Sequence, residues 1–329
     1  MSGPGARLFR LGFQAMTSVG GSSRLSVLIF HRVLSQPDDL LPNEPTAAMF
    51  RSRLRWLRDR FDILRLGEAI QLLREDRLPA RALSITFDDG YADNLHIAAP
   101  ILRECGICAT FFIATGFLDG GRMFNDTVIE AIRRAPAGVL DLQAIGLDRY
   151  SLGDSGSRRA AIHSVLKAIK YLPANVRNQR ADDVARACGG ALPEDLMMRS
   201  EEVVALHRAG MEVGAHTVTH PILAETPFDI CRKEIEDGRR RLQELVGDEI
   251  GLFAYPNGRP DRDYTAAHVQ LLRELGFDAA VTTAWGAASP DDDRFQIPRF
   301  TPWDAGNLRF GVRLARNVTR PGFATVDAA

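Results

Sequence analysis

The feature that most constrains this chain is an alternation that starts at Ser26 and runs to Phe300. Short apolar runs, "SVLIFH", "FDILRL", "ALSITF", "ATFFIAT", "MEVGAH", "GLFAYP", "DAAVTT" and "FQIPRF", read as strands. Between them "TAAMFRSRLRWLRDRF", "YADNLHIAAPILREC", "PFDICRKEIEDGRRRLQELV" and "DYTAAHVQLLRELG" repeat apolar residues every three or four positions and read as helices. Strands that alternate with helices pair in parallel, with the helices outside. About seven or eight such units suit an α/β fold closed, or nearly closed, into a barrel, with its chemistry at the C-terminal ends of the strands.

The rhythm breaks between Gly120 and Ser200. No convincing strand is legible there, whereas "DTVIEAIRRA", "SRRAAIHSVLKAIKYL" and "PANVRNQRADDVARAC" are all helical in period. The expectation is a helical insertion at about 120–200 within one barrel domain spanning 25–306. A basic segment, 1–24, precedes this domain and a basic tail, 307–329, follows it. The insertion lacks linkers at both ends and is too short to be expected to bury a core of its own.

Charge and cysteine content narrow the function. With 41 basic against 42 acidic side chains, no global field favours nucleic acid. The four cysteines do not make a disulfide framework in 329 residues. Cys105 and Cys108 form a CxxC, but no second pair completes a four-ligand zinc site. The N-terminus has no long apolar stretch of the kind a secretory signal carries, and no run reaches the ~20 apolar residues of a membrane span. These features give the expectation of a location in the cytoplasm or at the membrane periphery.

Two motifs carry chemistry. "SITFDDGYADN" runs a strand into two adjacent carboxylates, Asp88 and Asp89. Neighbouring anions repel, and a cation resolves the repulsion: one carboxylate binds metal while the other stays free as a base. By itself "DDG" reads equally as a turn with an aspartate cap. "EVGAHTVTHPIL" adds His216 and His220 at H-x3-H spacing at another strand end, where two neutral imidazoles can face one ion. One aspartate and two histidines leave a tetrahedral cation an open position, as hydrolytic sites require.

"TFDDGY" with "HTVTH" resembles the first two motifs of the polysaccharide deacetylases, the family of the NodB homology domain, over roughly Ser26 to Phe300. The resemblance implies a distorted (β/α) barrel that removes N-acetyl groups from amino sugars. It implies Asp88 as general base and Asp89, His216 and His220 as ligands of one divalent ion, with zinc the expected species. In the third motif, "LFAYPNGRP" departs from the family's "FRPPYG": Ala254 stands at the arginine position and Asn257 at the tyrosine position. The backbone N–H of Asn257 can still serve the oxyanion, and Arg299 in "FQIPRF" is the candidate to replace the arginine beside Asp88. No histidine follows His268, which lies inside a helix. His31, ending "SVLIFH", resembles instead the acid of a circularly permuted subgroup that includes poly-N-acetylglucosamine deacetylases.

The expected substrate is therefore an N-acetylated glycan of a bacterial surface or exopolysaccharide pathway. Phe87, Tyr91, Phe117, Phe124, Tyr255 and Trp303 are candidates to stack on sugar faces, with Trp303 preferred. Arg309, Arg313, Arg316 and Arg320 recur at helical spacing in the tail. They read as a solvated basic face that also suits anionic lipid or a lipid-linked glycan at the membrane periphery. Two other classes remain open: a formamide or cyclic-imide amidase of the same fold, and a catalytically silent glycan-binding module.

Overall fold

The computed structural model of the protein describes residues 23–302, 304 and 306–328. Trp303 and residues 1–22 of the basic N-terminal segment lie outside the described residues. The strands are β1 (Ser26–Phe30), β2 (Asp62–Ile63), β3 (Ala82–Phe87), β4 (Thr110–Ile113), β5 (Val139–Asp141), β6 (Arg149–Ser151), β7 (Glu212–Ala215), β8 (Leu252–Ala254) and β9 (Ala279–Val281). The helices are α1 (Ala47–Arg58), α2 (Leu66–Arg74), α3 (Ala99–Glu104), α4 (Phe124–Arg134), α5 (Ser155–Ile169), α6 (Ala174–Cys188), α7 (Ser200–Arg208), α8 (Phe228–Val246), α9 (Ala266–Glu274) and α10 (Asn307–Val318).

Seven strands form one parallel sheet in the order β1-β3-β4-β7-β8-β9, with β2 also paired to β3. Since β1 covers β3 from Leu83 to Phe87, β2 at Ala82 and Leu83 and β4 at Thr86 and Phe87 share its other edge. The barrel is splayed there. On the far side "FQIPRF" fills a strand's place without becoming a regular strand. Thr282 N–H donates to Ile297 O at 2.9 Å, and Phe300 N–H donates to Val27 O at 2.8 Å, so the segment bridges β9 to β1. Pro298 has no N–H for a continuous ladder, which limits the pairing to isolated bridges.

Side-chain alternation separates two cores. Leu28, Phe30, Ile85, Phe87, Phe111, Ile113, Phe253 and Tyr255 point outward and join the apolar faces of the surrounding helices. In α1, for instance, Phe50, Leu54 and Leu57 are buried at i, i+4 and i+7, behind a Thr46 cap that accepts from Met49 N–H at 3.3 Å. Leu25, Val27, Phe112, Leu252, Ala254, Val281 and Ile297 form the smaller inner core, closed at one end by Leu66, Ala69, Ile70 and Leu73 of α2. The opposite end, where the strands finish, is left for polar groups.

One expectation about organisation is corrected. The 120–200 region does contain strands: β5 and β6 pair antiparallel, three residues each. They are too short to show an apolar run, and Val139 in β5 is 66% exposed. This region also buries a cluster of its own, including Val128, Ile132, Leu140, Leu152, Ile162, Val165 and Val184. The C-terminal segment, expected as a basic tail with arginines at helical spacing, forms α10. Phe310, Leu314 and Val318 of α10 pack into the outer core, and Asp304 binds both Arg309 and Arg313, at 3.1 and 2.6 Å. Among the described residues no helix is long and apolar enough to cross a membrane.

Candidate active site

Asp88 continues the inward register of Ser84 and Thr86 beyond the end of β3. Strict alternation would send Asp89 to the other face. Asp89 instead takes a φ of 80°, outside the extended region, and Gly90 follows at 92°, so the chain turns and both carboxylates reach the same end of the barrel. Left-handed backbone costs a non-glycine residue on the order of 1–3 kcal/mol and persists where the surroundings over-determine it. Thr217, His220 and Asn257, at φ of 66°, 51° and 60°, share this conformation.

Arg299 reaches Asp88 from the bridging segment. Its Nη1 and Nη2 donate to Oδ1 and Oδ2 at 2.6 and 2.7 Å, its Nε donates to Thr282 O at 2.9 Å, and Nη1 also reaches Thr86 Oγ1 at 3.1 Å. The guanidinium is fully buried, so the fork fixes the plane of the carboxylate. Burial pushes the Asp88 carboxyl up, but the Arg299 charge leads the counterweights and holds it below the ordinary range. Asp88 is thus ionised and oriented.

The "HTVTH" loop is braced from two sides. His216 Nδ1–H donates to Ala254 O of β8 at 2.7 Å, which leaves Nε2 as the free lone pair. On α8, Glu234 accepts from Val218 N–H and Thr219 N–H at 2.9 and 2.7 Å, and Gly238 lets the helix backbone approach Thr217, where a Cβ would meet the carbonyl at 2.9 Å. His220 N–H donates to Thr217 Oγ1 at 3.1 Å. The outcome is a convergence: His216 Nε2 and His220 Nε2 lie 3.5 and 3.6 Å from Asp89 Oδ1.

These three residues fit a divalent cation. Their donor atoms lie within 4.8 Å of one another, and Asp89 Oδ1 is buried with no hydrogen-bond partner. A tetrahedron with metal–ligand bonds of ~2.0–2.2 Å has edges of about 3.3–3.6 Å, the spacing seen from Asp89 to each imidazole. Burial, reinforced by the charge of His216, drives the His220 pKa down to about 3, so this ring is neutral. Burial also opposes charge on His216, but the nearby Asp89 carboxylate and the charge of Asp88 outweigh it and raise its pKa. The negative potential that favours a proton there favours a cation equally.

A cavity of about 530 Å³ opens over this cluster and is lined by His31, Asp88, Asp89, His216, His220 and Asn257. His31, immediately after β1, is half-buried and lines the same cavity as both aspartates. The N–H of Asn257 donates to no acceptor among the described residues. Tyr91 lines the cavity but is 3% exposed, and its hydroxyl donates to Asp126 at 3.1 Å. Phe124 also lines the cavity, whereas Phe117 packs beside it in a small apolar cluster with Tyr91 and Met123.

Tyr255 and Phe87 are not placed for sugar stacking. Both are fully buried in the outer core, where Tyr255 stacks on Tyr264 at 3.9 Å and Phe87 on Phe111 at 4.7 Å. Sequence reasoning missed Glu44, Asp126, Lys170, Arg259 and Trp285, which all line the cavity. Burial pushes the Asp126 carboxyl up to about 7, with the charge of Asp89 adding to the rise.

The sequence profile of the polysaccharide deacetylase family matches residues 75–151 and 157–280. That is more than half of the chain, which belongs to this family. Its members are hydrolases of carbon–nitrogen bonds other than peptide bonds, and the chain is an enzyme of that class. YxkH of Bacillus subtilis (strain 168), provisionally named a polysaccharide deacetylase, is 20% identical over 279 residues, covering 84% of this chain and 71% of YxkH. The Streptococcus pyogenes deacetylase PplD, solved in complex with acetate, superposes with a TM-score of 0.57 at 19% identity, covering 88% of this chain and 97% of that one. IcaB from Ammonifex degensii gives 0.57 at 19% identity, covering 89% and 98%. These two likenesses show the fold.

Proposed function

We propose that the protein is a metal-dependent N-deacetylase that removes acetyl groups from an N-acetylated amino sugar of a bacterial surface or exopolysaccharide glycan. The observation that carries this reading is the pairing of the Asp89, His216 and His220 cluster with a separate carboxylate, Asp88, held ionised by the Arg299 fork in the same cavity. A mere binding module gains nothing from that second, oriented carboxylate. The donor set of two imidazoles and one carboxylate favours zinc, which when bound polarises a carbonyl and lowers the pKa of water.

The remaining steps belong to the chain's own groups. Asp88 takes a proton from the attacking water, with Arg299 fixing the carboxylate plane toward the cavity. The Asn257 N–H donates to the oxyanion that develops as the acetamide carbon becomes tetrahedral. His31 protonates the departing amine, without which the tetrahedral intermediate expels the attacking oxygen and returns to substrate. Membrane association is a secondary proposal. It rests on Arg316 and Arg320 together with Leu308 and Val312, which are 82% and 48% exposed on the outer side of α10.

Acetate release from a panel of N-acetylhexosamine oligomers tests the function, with formamides and cyclic imides run in parallel. Release of acetate supports the deacetylase. Turnover of the imides or formamides alone would transfer the site to amidase chemistry, and glycan binding without any turnover would make the chain a silent module.

A further inference from the structure

One side of the active-site cavity carries positive charge that the protein itself does not neutralise. Lys170, at the end of α5, and Arg259, beyond β8, both line the cavity. Arg262 and Lys170 share one aromatic ring, that of Tyr171, at 4.4 and 5.7 Å, so the two cations lie close together across a single side chain. Beneath them Arg177 of α6 is only 4% exposed and lies 4.4 Å over the ring of Phe124, itself a cavity wall. Its Nε has no hydrogen-bond partner.

Several other buried or half-buried arginines of this chain are paired with carboxylates, although Arg53, 5% exposed, binds Asn307 and the Asp304 carbonyl instead. Arg32 meets Asp93, Arg133 meets Asp38 and Arg299 meets Asp88, at 2.7, 2.7 and 2.6 Å. None of Lys170, Arg177, Arg259 or Arg262 forms an ion pair among the described residues. The nearest compensation is Asp263, buried at 1% exposure, whose Oδ2 is taken by Arg259 N–H at 3.0 Å and whose Oδ1 has no partner. The like charges of Lys170, Arg259 and Arg262 around that one carboxylate repel one another. The charges of Arg259, Arg262 and Arg177 add to burial in lowering the Lys170 pKa, and Arg177 acts on His220 as well. A bound anion offsets the mutual repulsion of Lys170 and Arg259, the two of these cations that line the cavity.

We propose that this face is an oxyanion subsite, and that the amino sugar deacetylated here carries a phosphate or carboxylate close to its acetamido-bearing ring. A cavity of about 530 Å³ holds both the metal-ligand cluster and the basic face, so the anion belongs to the same small substrate rather than to a distant part of a polymer. Its position relative to the acetamide rests on the deacetylase reading; the subsite itself does not.

The test uses the full chain and two double variants, Lys170→Gln with Arg259→Gln and His216→Ala with His220→Ala. Neither Lys170 nor Arg259 is fully buried, and thermal melts check that each variant folds. Calorimetry with pyrophosphate and with glucuronate is expected to show binding that survives loss of the two histidines. The Lys170/Arg259 variant should bind about tenfold or more weakly, as for lost charge-assisted contacts. Acetate release is then compared for methyl N-acetylglucosaminide, N-acetylglucosamine 1-phosphate and N-acetylglucosamine linked to glucuronate. One anionic substrate should be favoured at least about tenfold, which identifies phosphate or carboxylate, and the Lys170/Arg259 variant should lose that preference. Binding that depends only on His216 and His220, equal binding by the Lys170/Arg259 variant, or equal turnover of the neutral substrate would overturn the subsite. Equal turnover would leave the deacetylase reading standing. Probe binding lost in the Lys170/Arg259 variant, with no acetate from any substrate, would support the subsite and overturn the deacetylase.

Discussion

Replacing Arg299 with methionine should cost more stability than almost any other single change in this chain, and the reason lies in what it strands. The guanidinium is fully buried and gives both Nη atoms to Asp88, its Nε to Thr282 O and an additional contact to Thr86 Oγ1. Breaking a buried pair by removing one partner costs about 3–5 kcal/mol, since the other charge remains without compensation. The Thr282 carbonyl adds roughly 1–3 kcal/mol as an unsatisfied buried acceptor. Against a total stability of ~5–15 kcal/mol for a natural domain, this variant stands near the edge of folding. Adding Asp88→Asn removes the stranded charge, so the double variant should recover most of the larger part. Urea unfolding of the metal-stripped proteins, followed by tryptophan fluorescence, measures all four corners of the cycle. If Arg299→Met with Asp88→Asn is no more stable than Arg299→Met alone, the guanidinium supports barrel closure, and its role in holding the Asp88 carboxylate is refuted.

Asp126 should make stability fall as pH rises. Its carboxyl titrates near pH 7 in the native state and near the ordinary value of about 3.9 when unfolded, so between pH ~4 and ~7 only the native chain keeps the proton. The loss reaches at most about 4 kcal/mol; Asp126→Asn should abolish it, and an unchanged pH profile of unfolding in that variant would contradict the assignment. His31→Ala should keep its metal yet lose about a hundredfold or more on an N-acetyl sugar, while an aryl acetate, whose leaving group needs little protonation, suffers much less. Equal losses on both substrates would remove His31 from the acid role. Arg316→Gln with Arg320→Gln should reduce co-sedimentation with anionic vesicles, most clearly at low salt. Failure of the intact protein to bind vesicles would end the membrane proposal.

The site was legible where its chemistry sits at strand ends. Adjacent carboxylates after "SITF" and H-x3-H after "EVGA" name the candidate metal-binding cluster, and Arg299 follows Ile297 on the inward register of the bridging segment. The same alternation places Tyr255 outside: Leu252 and Ala254 face the inner core, so Phe253 and Tyr255 face the helices. Applied to that strand, it would have excluded Tyr255 from the cavity. Asp126 and Lys170 left no comparable signal. Each sits on an ordinary amphipathic helix of the insertion, and which face meets the cavity is set by tertiary docking rather than by local period. The hairpin of β5 and β6 escaped because three-residue strands show too few positions for any period to register.

In the proposed function one divalent ion, held by Asp89, His216 and His220 beside the base Asp88, supports the removal of acetyl groups. Metal-stripped protein titrated with zinc, with bound metal and acetate release from an N-acetylhexosamine oligomer read on the same samples, tests it directly. Activity should rise in proportion to bound metal and level off at one ion per chain. Asp89→Asn and His216→Ala should lose both metal and activity, while Asp88→Asn keeps the ion and loses turnover by roughly a hundredfold to ten-thousandfold. Acetate release that is unaffected by metal removal, or metal binding that persists in His216→Ala and falls in Asp88→Asn, would contradict the account.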